Sequence, residues 1–232
     1  MIARVLIAAL LAGLVAGLAS AAVQLHKVAP LILEAETYEG TAAGGHSHGD
    51  QALGDDQGAG AHDHGAWAPA DGLERSAYTV LANVLIGEGW ALLLVAGFVL
   101  SRRRIDWRSG LLWGLAGFGA FALLPAIVLP PEVPGAVAAP LPMRQAIWLA
   151  VALSGAAGLA CFAFGKNVAV KVLGAILVLA PLLFTAPHGD GHGAVPPELA
   201  AQFVTASLGM AAVFWIVLGG LSGLFYKRLV AR

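Results

Sequence analysis

Apolar residues run in blocks of about twenty, separated by short stretches of arginine, proline, glycine or acidic residues. At about 1.5 Å of rise per helical residue, a block of that length matches the roughly 30 Å hydrocarbon core of a bilayer. The pattern predicts helices at Val5 to Leu25, Tyr78 to Leu100, Gly110 to Leu129, Gln145 to Phe164, Val168 to Thr185 and Leu199 to Tyr226. None of these blocks alternates polar with apolar, so barrel strands are excluded. The fourth and fifth blocks meet at the tight turn Gly165-Lys166-Asn167 and are expected to pair as an antiparallel hairpin. The expected fold is an all-α integral membrane protein with about six transmembrane helices.

The chain then divides into a first transmembrane helix (1–25), a long outer loop (26–77), helices two and three (78–129) and a Pro-rich outer loop (130–144). After these come helices four and five (145–185), a short outer loop (186–198) and the last helix with a basic tail (199–232). Arg4, the apolar run and Ala19-Ser20-Ala21 imitate a cleavable signal peptide. The uncharged run from Val5 through Leu25 is long for a signal core, and Gly13 and Gly17 carry the small-xxx-small spacing of packed membrane helices. An uncleaved helix is expected.

Composition agrees with the blocks. Hydrophobic residues make up 59% and charged residues 12%, against about 25% charged in soluble domains. Cys161 is the single cysteine, so no intrachain disulfide exists, and its place in an apolar block suits a small buried hydrophobe.

Charge sets the orientation. Arg4, Arg102, Arg103, Arg104, Arg108, Lys166, Lys171, Lys227, Arg228 and Arg232 fall on one side, and only Lys27, Arg75 and Arg144 on the other. Basic residues mark the cytoplasmic face, which places both termini there. Acidic residues reverse the pattern, so the outer loops sum to −9 and the inner segments to +9, with Glu88 inside a span. An acidic outer surface concentrates cations within a Debye length, roughly 8 Å at physiological salt.

Six of the seven histidines lie in the outer loops: His46 and His48, His62 and His64, His188 and His192. In an extended chain, His-x-His spacing puts both rings on one face, and Asp50, Asp63 and Asp190 stand beside them as oxygen donors. Imidazole with carboxylate suits divalent transition metals such as cobalt, nickel or zinc. The segment around these clusters in the first loop is nearly free of bulky apolar residues and is expected to order only around metal. A solvated low-complexity tract is the plainer reading of the same residues.

Within the membrane, Glu88 in Gly87-Glu88-Gly89 is the acidic residue near the middle of a span, where charge is costly and marks ion paths. Asn83 is a second polar group on that helix, and His26 stands at the outer end of the first span. These three are the transport-path candidates. Pro125 and Pro181 should bend their helices, and the six tryptophans are read chiefly as interfacial anchors. There is no P-loop, nucleophile elbow or His-Glu-x-x-His, so no catalytic residue, enzymatic activity or nucleic-acid partner is expected.

The first apolar helix runs into Pro30-Leu31-Ile32-Leu33-Glu34-Ala35-Glu36 with Tyr38-Glu39, the histidine-bearing first loop follows, and Ala82-Asn83-Val84-Leu85 opens the second span. Further on come Trp113-Gly114-Leu115-Ala116-Gly117-Phe118, Leu129-Pro130-Pro131-Glu132-Val133-Pro134-Gly135, Arg144-Gln145 and Ala186-Pro187-His188. In these segments the chain resembles the CbtA family of proposed bacterial cobalt transporter subunits. The resemblance implies a multi-pass protein of the bacterial inner membrane that imports cobalt for cobalamin synthesis. It also implies a small single-span partner of the CbtB type; self-association is compatible with the sequence. The divalent cation is cargo, and no permanently bound cofactor is expected. The alternative from another class is a non-transporting membrane accessory that presents metal to a separate permease.

Overall fold

The computed structural model describes residues 2–43, 69–136, 138–183 and 195–230; side chains of 39–43 are left out of the account. Among the described residues there are six helical bodies and no strand. Helix α1 starts as Ile2–Val23, passes through a π turn at Gln24–Val28 and continues as Ala29–Ala43. Helix α2 is Leu73–Ser101 and α3 is Trp107–Val128, the latter interrupted by a second π turn at Gly119–Leu123. Helix α4 is Leu141–Phe164, α5 is Val168–Leu183 and α6 is Pro197–Leu229. Five of the six are long and apolar enough to cross a membrane, and α5 is the shorter apolar one.

The first helix does not stop where its apolar block does. Expected to end near Leu25, it runs on through Glu34-Ala35-Glu36 to Ala43, because the polarity changes there but the helix propensity does not. Pro30 is the one residue that should break it, since it lacks an N–H and its ring crowds the carbonyl four residues back. The π turn just before it widens the helix at that carbonyl, His26. Pro125 follows the second π turn at the same interval. Pro181 instead lies in a tightened 3-10 turn, Ala180–Leu183, so the bends expected at Pro125 and Pro181 take these two forms.

Glycines set the helix contacts. Gly13 and Gly17 of α1 lie on the α2 backbone at Gly87–Glu88 and Asn83–Val84, and a Cβ on Gly13 would come within 2.6 Å of Glu88 Cα. Gly110 and Gly114 of α3 interlock with Gly219 and Gly223 of α6 in the same way. In lipid, such contacts gain from close van der Waals packing, which a side chain would prevent. The α4–α5 hairpin forms as expected, with Gly158 against Gly174 and Ser154 Oγ donating to Leu177 O at 2.6 Å. Helix α6 packs on both α1 and α3 and so ties the two glycine pairs into one bundle. Phe98, Val95 and Leu218 are fully buried at its centre. Large apolar residues on every helix face outward, the inverse of a water-soluble fold and the pattern lipid requires.

The two ends differ. At the end carrying the basic residues, Asp106 caps α3 by accepting from Ser109 N at 2.9 Å, and Ser109 Oγ accepts from Asp106 N. Arg103 donates to Ala163 O at the end of α4 and lies over the Phe164 ring, a cation placed where a helix C-terminus favours one. At the opposite end Arg75 pairs with Glu36 at 2.6 Å, and Arg144 with Glu132 at 2.7 Å. The extension of α1 is held there by Val28 and Ala35, which share a buried cluster with Val133, Leu199 and Phe203.

Candidate transport path

Two partly open cavities lie along the bundle, one toward each end. The first, about 830 Å³, opens beside Pro69 and Arg75, and its polar lining includes Ser20, Gln24, Thr79 and Asn83. Asn83 Nδ2 donates to Gln24 Oε1 at 2.5 Å and to Thr79 O at 2.8 Å, so the amide is fixed from both sides. Gln24 belongs to the first π turn. That turn, required beside Pro30, thus also forms part of the cavity wall. At the mouth Arg75 is shared between Glu36 and Asp71, and these three groups together carry one net negative charge.

The second cavity, about 490 Å³, is mostly apolar and approaches from the basic end, where Arg103, Arg104 and Ser109 line it. Trp90, Phe121 and Trp215 line both cavities. Their rings are in mutual contact, with centroids 4.6 Å apart for Trp90 and Phe121, 5.0 Å for Trp90 and Trp215, and 6.0 Å for Phe121 and Trp215. The three rings form a wall common to the two, a septum with an outer chamber on one side and an inner one on the other. Phe121 sits in the second π turn, and Trp215 is seated against Gly117, where a Cβ would fall 2.2 Å from the ring. Trp90 and Trp215 are therefore interior residues, unlike the interfacial anchors expected; packing across three helices decides this, and span boundaries do not reveal it.

The three path candidates separate. Asn83 lies in the outer chamber. Glu88 lines neither chamber, because five residues of α-helix turn it about 140° away from Asn83. His26 is exposed, off the outer chamber, with Nδ1 2.8 Å from Ala22 O. His46, His48, His62, His64, His188, His192, Asp50, Asp63 and Asp190 lie outside the described residues. Among the described residues no group of three His, Cys, Asp or Glu side chains is placed to hold a metal ion.

Gln24, Ser20 and the aromatic septum were missed by sequence reasoning. A polar residue closing an apolar block a few positions before a proline is the signal that could have found Gln24. No comparable signal marks Phe121, one of many aromatics in a hydrophobic span.

No curated protein and no solved structure matches this chain. The family model described as "Probable cobalt transporter subunit (CbtA)" matches residues 2–227, nearly the whole length. With five apolar helices of membrane-crossing length and that match, the chain is a multi-pass membrane protein that belongs to the CbtA family of cobalt transporter subunits.

Proposed function

We propose that this chain is the membrane subunit of a divalent transition-metal importer in the bacterial inner membrane, taking up cobalt for cobalamin synthesis. The outer histidines and aspartates collect the ion, the chamber lined by Asn83 and Gln24 receives it, and the septum of Trp90, Phe121 and Trp215 separates it from the inner chamber. A small single-span protein of the CbtB type works with it. The basic end, with both termini, faces the cytoplasm, in keeping with the excess of arginine and lysine there.

The observation that carries this reading is the pair of chambers meeting at one aromatic septum. An ion with six waters at about 30 Å³ each occupies roughly 200 Å³, well within the outer chamber. Its polar lining offers amide and hydroxyl groups with no carboxylate, and the one cation in it, Arg75, is neutralised by Glu36 and Asp71, which suits a hydrated cation held loosely enough to leave. Tight capture would oppose release.

Uptake of radioactive cobalt into cells carrying the chain with its partner tests the reading. Asn83→Leu should lower the initial rate several-fold, and replacing the six loop histidines with Ala should lower uptake only at limiting cobalt. Wild-type uptake by both variants at all concentrations would overturn it.

A further inference from the structure

Glu88 is the acidic residue at mid-depth of α2, and no residue of its own bundle answers it. Among the described residues it has no hydrogen-bond or ion-pair partner and lines neither chamber. Its neighbours on the same helical stripe are Leu81, Leu85 and Leu92, exposed to 52%, 57% and 39%. These leucines face away from the bundle, and Glu88 is half-buried at the edge of the α1–α2 contact. On the α1 side, where Gly13 lies against the Glu88 backbone, Leu10 and Leu14 are also exposed. Gly89, next in the chain, has open space where a Cβ would stand.

A half-buried carboxyl group at the edge of a leucine-covered membrane surface is unfavourable by several kcal/mol as a charge, and membrane proteins pair such groups or turn them inward. This fold does neither within one chain. Around it the exposed side chains of Leu10, Leu14, Leu81, Leu85 and Leu92 are apolar, with an open glycine beside it for close approach.

We infer that this face docks a transmembrane helix of the partner component, which presents a hydrogen-bond donor or cationic side chain to Glu88 at mid-membrane depth. The inference rests on the reading that the chain works with a single-span partner. The complementarity is chemical: an acceptor alone in an apolar field selects a helix that carries its donor in an otherwise apolar sequence. Glu88 is thus an assembly residue, on the opposite flank of α2 from the path residue Asn83.

The test uses the full chain co-expressed with the tagged single-span partner, with a photo-crosslinking residue at Leu85, Leu92 or, as control, Leu153 on α4. Crosslinks to the partner from Leu85 and Leu92 but not Leu153 are expected. Glu88→Leu should reduce co-purified chain about tenfold, and Glu88→Gln should retain most of it. Both variants should melt like wild type when isolated, since Glu88 has no partner among the described residues. Crosslinks only to a second copy of the chain or to lipid would overturn the inference. An intact wild-type complex that Glu88→Leu leaves unchanged overturns this surface alone; absence of a wild-type complex overturns the partner reading with it.

Discussion

Asn83 of α2 donates to Gln24 of α1 at 2.5 Å, and the acceptor sits in a π turn next to a helix-interior proline. The bond joins two helices that also meet through glycine on backbone and the Arg75–Glu36 ion pair, and it places two amides in the wall of the outer chamber. A hydrogen bond of this kind is worth about 0.5–1.5 kcal/mol. In a double-mutant cycle of Asn83→Leu and Gln24→Leu, melting of the purified protein should give a coupling of that size. Each single variant should slow cobalt uptake. Additive effects on melting would mean that the bond does not form.

Phe121→Ala should open the septum. Removing a packed ring costs about 3 kcal/mol or more in stability, and here it also takes away one of the three rings that line both chambers. Vesicles holding Phe121→Ala should leak cobalt down its gradient, several-fold faster than wild type. Phe121→Leu, which refills most of the volume, should leak less. Equal leakage from wild type and Phe121→Ala would remove the gating role.

Gly219 and Gly220 are adjacent and should respond in opposite ways. A Cβ at Gly219 would meet Gly114 Cα at 2.7 Å, whereas one at Gly220 meets nothing within 4 Å. Gly219→Ala should therefore cost about 1–3 kcal/mol by overpacking. Gly220→Ala should be neutral or stabilise by about 0.5–1 kcal/mol through helix propensity. Thermal melting in detergent decides between these signs.

Asp106 connects stability to pH at the basic end. Its hydrogen bonds from Ser109, first the backbone N–H and then the side chain, hold its pKa below the ordinary carboxylate range of about 3.8. Because the folded value is the lower one, the cap stabilises the protein above the unfolded value and its contribution is lost as pH falls through the folded value. The wild-type advantage in melting temperature over Asp106→Ala should be constant near neutral pH and shrink on acidification below about pH 4. A difference that stays unchanged down to pH 2 would contradict the cap.

Much of this architecture was legible because lipid acts on residues one helix at a time. Each apolar block had to become a helix to satisfy its backbone, so the six bodies, the α4–α5 hairpin and the separation of basic from acidic ends follow from composition along the chain. The small-xxx-small spacings at Gly13 and Gly17, Gly110 and Gly114, and Gly219 and Gly223 also marked contact faces, though not which face meets which. The length of α1 was not legible, because hydropathy records where a helix leaves lipid and not where it ends.

The sequence by itself determined that this is a helical membrane protein with its charges sorted to two ends, since burial in lipid is a local demand that each segment meets alone. Only the tertiary structure decided that Asn83 lines a chamber while Glu88, five residues on, lines neither, and that Trp90, Phe121 and Trp215 from three helices close on one another. Such relationships depend on how helices rotate about their axes, and that rotation is set by glycine contacts between segments far apart in the chain.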